Sequence, residues 1–416
     1  MHKGEKAVMS SEVKVSKPER SSGVELFRII AMVLICLSHA AQTALGKIAL
    51  GNSFADFLVS VFYNSFGELG NIIFIVCSCF FLTDSKGVKS HKVIKILLDS
   101  TCISVIIYLV FLLCGYSFTP SSSIRHFLPD LFSNMWFIPV YVLFYMVHPL
   151  INAAVKGISR KTHFVFVLLT FCIYGLGGLV FNWSLGINRL AETVAIYIVI
   201  AYIKIYRKDL CQNKRVNAIA AGVSALLFWA LSAAKFYLKW DNVNLVYYYS
   251  PIAFTLVFSV FNLLNGAKFH SKTVNFLASC SLFFYCIHEN FLIRRVLRPA
   301  YYDHVLAINS NAYLGWVMLC FALWLVGGYL LAVLYKLTFS QLTAAISSKL
   351  GALFDSFVNF LMSKTKQVVE VEQGVVANEA VDKTEPQPTC AEPTEHVEPQ
   401  QNCAMSTDDE HFEQTK

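Results

Sequence analysis

The sequence predicts an all-α, polytopic membrane helical bundle of about ten transmembrane helices with both termini cytoplasmic. Three observations carry that expectation. First, 56% of the 416 residues are hydrophobic and only 15% are charged, whereas soluble domains run at about 45–50% and about 25%. A soluble fold of this size cannot bury so much apolar area. Second, apolar stretches long enough to cross a hydrocarbon core of about 30 Å recur ten times. Third, Lys and Arg fall unevenly on the turns between them. With the N-terminus inside, the cytoplasmic segments hold 23 and the outer segments 8, which fixes the orientation by the positive-inside rule.

The elements follow in order. Residues 1–22 form a basic cytoplasmic segment, and residues 23–340 form the transmembrane domain. The first span, 24–45, follows a polar leader and carries Arg28 and His39, so it reads as a retained helix rather than a cleaved signal. Residues 52–66 read as a short interfacial or re-entrant segment before the second span, 67–83, which opens with Glu68. The third span, 92–115, starts on the basic residues Lys92 and Lys95. Further spans are expected at 134–155, 163–181, 189–206, 216–236, 246–265, 276–296 and 313–338. Residues 341–366 read as an amphipathic juxtamembrane segment. Residues 367–416 hold twelve acidic and two basic residues, with Pro, Gln and Thr, and read as a disordered acidic cytoplasmic tail.

Removing that tail turns the formal charge of +7 into a body of +17. Most of that charge lies on cytoplasmic turns, so it reports orientation, and no nucleic-acid partner is expected. There is no P-loop, no G-x-G-x-x-G and no C-x-x-C pair. The twelve Cys are scattered through apolar stretches and read as small buried residues. No metal site is expected. Any chemistry has to sit among the helices, where an ionisable side chain is costly and therefore marks function.

Arg28 and His39 are the strongest such pair. Eleven residues is close to three helical turns, so both lie on one face about 16 Å apart along the axis. A guanidinium suits phosphate or carboxylate. A neutral imidazole is able to serve as a general base. The competing readings are an arginine that snorkels to headgroups and a histidine that bonds a neighbouring helix. Glu68 and Glu192 are carboxylates near helix starts, either orienting groups or plain interfacial charges. His288 and Glu289 are adjacent, which on a continuous helix points them to different faces. Arg294, Arg295 and Arg298 read as an outer basic cluster contacting lipid headgroups, with an acidic glycan or lipid diphosphate as the other reading. Asn182-Trp183-Ser184 fits a glycosylation sequon.

Four segments, taken in order, resemble the acyltransferase 3 family of bacterial integral-membrane O-acyltransferases. They are "GVELFRIIAMVLICLSHAAQ", "GELGNIIFIVCSCFFLTDSKG" followed by "HKVIKILLDS", "NMWFIPVYVLFYMVHPLIN" and "LASCSLFFYCIHENFLIRR". Arg28 and His39 match that family's arginine, ten residues, histidine spacing. Gly70, Phe74 and Ser78 match its second helix, with Cys79 where glycine is usual. Lys92 and Lys95 stand where the family often has arginines; lysine keeps the charge but lacks the fork. Trp136, Phe137, Ile138, Tyr141, Tyr145, Pro149 and Asn152 match its fourth helix. Ser281, Tyr285 and His288 match its late helix.

The resemblance implies transfer of an acyl group, commonly acetyl from acetyl-CoA, onto a hydroxyl of a surface or cell-wall glycan or its lipid-linked precursor. It implies a bacterial plasma-membrane location. Acyl-CoA is then a co-substrate, the carbohydrate is the acceptor, the bilayer is the environment, and no cofactor is permanently bound. The donor phosphates would lie near Arg28, Lys92 and Lys95, and His39 would act as base or carry the acyl group. Glu68, Trp136, Tyr141, Tyr285 and His288 are candidate acceptor-binding or supporting residues, with His288 read mainly as a hydrogen-bonding group. The alternative function is a secondary transporter or exporter of a lipid-linked sugar, although spans 1–5 and 6–10 show no internal repeat.

Overall fold

The computed structural model of the chain describes residues 21–46, 50–132, 135–176, 189–240, 250–306 and 313–381. These residues are helical, and no strand occurs among them. Six helices are long and apolar enough to cross a membrane: α1 (Ser22–Leu45), α2 (Phe54–Leu82), α3 (Ser90–Leu113), α6 (Phe137–Gly157), α10 (Lys214–Tyr237) and α15 (Tyr313–Thr338). A bent pair, Lys272–His288 with Ile293–Asp303, makes a seventh if taken as one span. Helices also occupy the three other expected positions: α7 (Arg160–Thr170), α8 (Arg189–Tyr206) and α11 (Pro251–Asn265). The remaining elements are α4 (Pro120–Phe127), α5 (Pro129–Phe132), α9 (Lys208–Gln212), α12 (Lys272–Ala278), α13 (Ser281–His288), α14 (Arg298–Leu306) and α16 (Ser340–Val381). The sequon at Asn182, the N-terminal segment to Glu19 and Arg20, and the tail from residue 382 lie outside the described residues.

Two expectations change. The segment 52–66 is not separate from the second span. Ser53 and Asp56 form a reciprocal capping box that starts a helix at Phe54. A π-helical turn at Phe62–Phe66 then carries it without a break into Gly67–Leu82. At the other end, α16 continues past residue 366 to Val381. The segment 367–381 contains no Pro, and the first of the tail prolines comes at Pro386, so nothing in the chain breaks the helix earlier. The chain divides into two units after Asp355. The second unit, where described, is the continuation of α16.

α1 is the most deeply packed of the six spans. Its residues Phe27, Ala31, Met32, Ile35, Cys36 and Ala40 are buried against neighbouring helices. Close approach to α2 depends on Gly70: a Cβ there would lie 2.6 Å from both the Ala31 carbonyl oxygen and Ile35 Cγ1. The start of α1 is tied to α12, because Ser22 Oγ donates to Asn275 Oδ1 (2.8 Å) and accepts from the Ser271 N–H (2.8 Å). In α6, Pro149 lacks the N–H that would bond the carbonyl of Tyr145. The buried ring of His148 fills that need, with Nδ1 donating to the Tyr145 oxygen at 2.5 Å. Three residues on, Asn152 Nδ2 donates to the carbonyls of Leu82 (3.0 Å) and Ser85 (3.2 Å), and Tyr197 donates to Asn152 Oδ1. The Pro-x-x-Asn pattern thus locks α6 to the end of α2.

Candidate functional site

Two adjoining cavities open beside α1. One, of about 260 Å³, is lined by Val24, Glu25, Arg28, Lys92, Tyr141 and Tyr145 among others. The second, of about 120 Å³, is lined by Arg28, Met32, Ile35, Phe74, Tyr141 and Tyr285 among others. Arg28, Ser78, Ile96 and Tyr141 belong to both, so together they form one path. Its α1 wall is the stripe Arg28, Met32, Ile35, the spacing that keeps residues on one helix face, and His39 is the next position on that stripe. Its α6 wall is an i, i+4 ladder, with Phe137 stacked on Tyr141 and Tyr141 on Tyr145. The Lys92 end is the more polar, and the far end mixes apolar side chains with Asn71, Ser281 and Tyr285. Arg28 Nη1 is 3.3 Å from Glu25 Oε2 and keeps 39% of its side chain exposed, so it is available to an anion.

One turn beyond Ile35 lies His39, 20% exposed, against groups that are almost fully buried. Its Nδ1 is 3.0 Å from Glu289 Oε1 and 2.8 Å from His288 Nε2. Glu289 is 3% exposed and lies between two guanidiniums: Arg294 Nη1 at 2.8 Å from Oε2 and Arg298 Nη2 at 3.1 Å from Oε1. Arg298 also donates to the His288 carbonyl. A buried carboxylate held by two cations stays ionised, which is the condition for orienting and stabilising a protonated imidazole.

The expectation that His288 and Glu289 face apart is corrected. It assumes a continuous helix, but α13 ends at His288, and the chain bends by 68° before the π-turn Ile293–Leu297. Both side chains therefore reach the same atom of His39. The reading of Arg294, Arg295 and Arg298 as a headgroup cluster is corrected as well. Arg298 is 3% exposed and both Arg294 and Arg298 turn inward onto Glu289, because an unpaired buried carboxylate would be too costly. Arg295 alone of the three is exposed.

The tautomers follow from one donor. Trp324 Nε1–H donates to His288 Nδ1 at 2.7 Å, and an indole N–H is a donor only. His288 therefore carries its proton on Nε2 and presents it to His39. Two states are open to His39 as a result. With Nδ1 bare, it accepts from His288 and holds its proton on Nε2. With Nδ1 protonated, it donates to Glu289 and leaves Nε2 free as a base; two donors cannot share the 2.8 Å contact, so the His288 N–H then turns toward Glu289 Oε1, 3.6 Å from its Nε2. His39 Nδ1, His288 Nε2 and Glu289 Oε1 are also close enough together to ligate a metal ion. Ligation through Nε2 needs a bare nitrogen, which the Trp324 bond opposes, and Glu289 already serves two guanidiniums. The donor set fits a hydrogen-bonded centre better than a metal centre.

The other predicted residues are distributed over distinct places. Lys92 lines the wider cavity, but Lys95 does not line either one. Lys95 Nζ bonds Asp99 Oδ2 at 2.7 Å and Ser340 Oγ at 3.1 Å. Asp99 also accepts from Tyr335 and Thr343, so Asp99 ties α3 to α15 and Lys95 and Asp99 together tie it to the start of α16. Tyr141 lies on the Arg28 path. Glu68 is held by both terminal nitrogens of Arg189 (2.5 and 3.1 Å), and Arg189 also reaches Glu192 at 3.4 Å and lies over the Trp136 ring at 5.2 Å. These four form a second polar cluster. Beside Glu68, α2 packs closely on α1, since a Cβ on Gly67 would lie 2.9 Å from Ser38 Oγ. Tyr285 lines the narrower cavity, and His288 touches His39.

Sequence reasoning missed Glu289 and Trp324 as members of the centre. A signal for Glu289 exists, since it is the one carboxylate in the expected span 276–296. Trp324 carries none, being one aromatic in a uniformly apolar helix.

The described residues form a bundle of apolar helices in which a half-buried histidine meets a buried glutamate, one turn of α1 beyond a cavity lined by Arg28. In the comparison with protein families, an acyltransferase domain matches residues 21–350, and the chain belongs to the acyltransferase 3 family. It is a membrane acyltransferase. No curated protein and no solved structure matches the chain.

Proposed function

We propose that the protein moves an acetyl group from acetyl-CoA onto a hydroxyl of a surface or cell-wall glycan, or of its lipid-linked precursor, in the bacterial plasma membrane. On this reading ten segments span the bilayer, both termini are cytoplasmic, and the Lys92 end of the path faces the cytoplasm. The observation that carries the reading is the path itself, which runs from Lys92 and Arg28 along α1 toward the His39–Glu289 pair. A CoA phosphate binds at its charged mouth, bidentately on Arg28. The pantetheine arm lies along Tyr141 and Phe74, and its length suits the roughly 16 Å from Arg28 to His39.

His39 in its Nδ1-protonated state takes the acceptor hydroxyl proton on Nε2. The hydroxyl oxygen attacks the thioester carbonyl, and Glu289 stabilises the imidazolium. As the C–S bond breaks, the proton passes to the departing thiolate. On this reading the acceptor approaches from the side of Glu68, Arg189 and Trp136, because carboxylates and an aromatic ring suit sugar hydroxyls and a sugar face.

The test is His39→Ala in native membranes given labelled acetyl-CoA. The expected result is loss of label from the glycan fraction with acetyl-CoA binding retained. Full labelling by a normally folded variant removes His39 from the chemistry. A native protein that binds no acyl-CoA but moves a lipid-linked sugar across the membrane is a transporter instead.

A further inference from the structure

Several buried polar atoms lack a hydrogen-bond partner, and of the described residues that line the two cavities, Tyr285 is the one that carries such an atom. Its side chain is 7% exposed and its hydroxyl is fully buried: the Phe137 backbone N–H faces the oxygen, and no acceptor takes the hydroxyl hydrogen. Buried tyrosine hydroxyls usually find a partner, because an unsatisfied one forfeits its hydration for nothing. An orphan of this kind beside a substrate path points to a partner that arrives with the substrate.

Its location narrows what that partner is. Tyr285 lies on α13 three and four residues before His288 and Glu289, about one turn nearer the Arg28 end. On α1, Ile35 lines the same cavity one turn short of His39. The facing wall is the first turn of α6, where Phe137 and Ile138 line the cavity and Phe137 packs edge-on to the Tyr285 ring at 5.8 Å. The start of a 21-residue helix carries partial positive charge. A carbonyl placed here, next to His39, would meet a hydroxyl donor and a positive helix end together.

We propose that Tyr285 is a catalytic residue that donates its phenolic hydrogen to the carbonyl oxygen of the acyl thioester. This rests on the acyl-transfer reading above. When the acceptor oxygen bonds to the carbonyl carbon, the C=O pair moves onto oxygen, and Tyr285 stabilises that charge. When the C=O bond reforms, the C–S pair leaves on sulfur and takes the proton held by His39. Donors aimed at a developing oxyanion in a dry site are among the larger contributors to rate.

The experiment is Tyr285→Phe in the full-length protein in native membranes, with acetyl-CoA as donor and label in glycan as readout. The expected result is a kcat lower by about 10²–10³-fold, with the acetyl-CoA KM within about twofold and the thermal midpoint unchanged. A merely structural hydroxyl would move the midpoint or KM as well. Activity within about threefold of native, with His39→Ala inactive, overturns the assignment of Tyr285 and leaves acyl transfer standing. Absence of transfer and of acetyl-CoA binding in the native protein overturns acyl transfer and this proposal together. If Tyr285→Phe fails to fold, 3-fluorotyrosine at 285 keeps the ring and a more acidic hydroxyl. That stronger hydrogen-bond donor is expected to hold kcat at or above the native value, and a folded variant with kcat lowered about tenfold or more overturns the proposal.

Discussion

Nδ1 of His39 lies 3.0 Å from Oε1 of Glu289, and the carboxylate side of that pair is closed off from solvent while the imidazole is not. A charged group that is held rigidly and a titratable group that remains reachable are the two halves of a base. Glu289→Gln keeps the shape and removes the charge. Acyl transfer is expected to fall by about 10²–10⁴-fold, the range assigned to positioned acid–base catalysis, with acetyl-CoA binding preserved. Equal rates for the variant and the native protein would exclude Glu289 from the mechanism.

The two lysines at the start of α3 are expected to separate. Lys92→Ala and Arg28→Ala should raise the acetyl-CoA KM with little change in kcat, the pattern of lost uniform binding. Lys95→Ala should leave KM unchanged and lower stability by about 1–3 kcal/mol. That is less than breaking a fully buried pair costs, because Lys95 keeps 31% of its side chain exposed. Kinetics and a thermal midpoint on the same three variants decide it. A KM increase for Lys95→Ala would return it to the donor site.

Trp324→Phe tests the tautomer argument. Without the indole donor, His288 Nδ1 is left bare and buried, at a cost of about 1–3 kcal/mol, or takes up the proton itself. The expected outcome is a lower thermal midpoint and, in ¹⁵N-histidine spectra, a His288 proton no longer confined to Nε2. Spectra identical to the native protein would show that Trp324 does not set the tautomer.

Gly70→Ala places a methyl against the Ala31 carbonyl and Ile35. Overpacking there is expected to cost about 1–3 kcal/mol and to shift Ile35, which lines the narrower cavity. Reduced transfer together with a lower midpoint is the expected result. A variant as stable and active as native would show that α1 and α2 have room to separate.

Much of the bundle could be read before any coordinates. Spans are set by hydropathy, because a run of about 20 apolar residues in a bilayer must satisfy its backbone bonds internally. Arg28 and His39 could be paired from spacing alone, since both lie on one helix and helical geometry is local. The capping box that starts the helix at Phe54 is also local, but its polar residues resemble a break when counted by hydropathy.

What the sequence determined by itself is the membrane class, the helix positions, the family resemblance and the shared face of α1 that carries Arg28 and His39. Each depends on composition or on neighbours within a few turns. Tertiary structure decided the rest. It set Glu289 and His288 on His39, turned Arg294 and Arg298 inward, gave Lys95 to Asp99, and let Trp324 fix a proton on His288. The contacts onto His39 and from Trp324 join residues far apart in the chain, while Lys95–Asp99 and the pairs of Glu289 with Arg294 and Arg298 span four to nine residues; the cause they share is the cost of leaving a buried charge or donor unpaired, which the packed helices set.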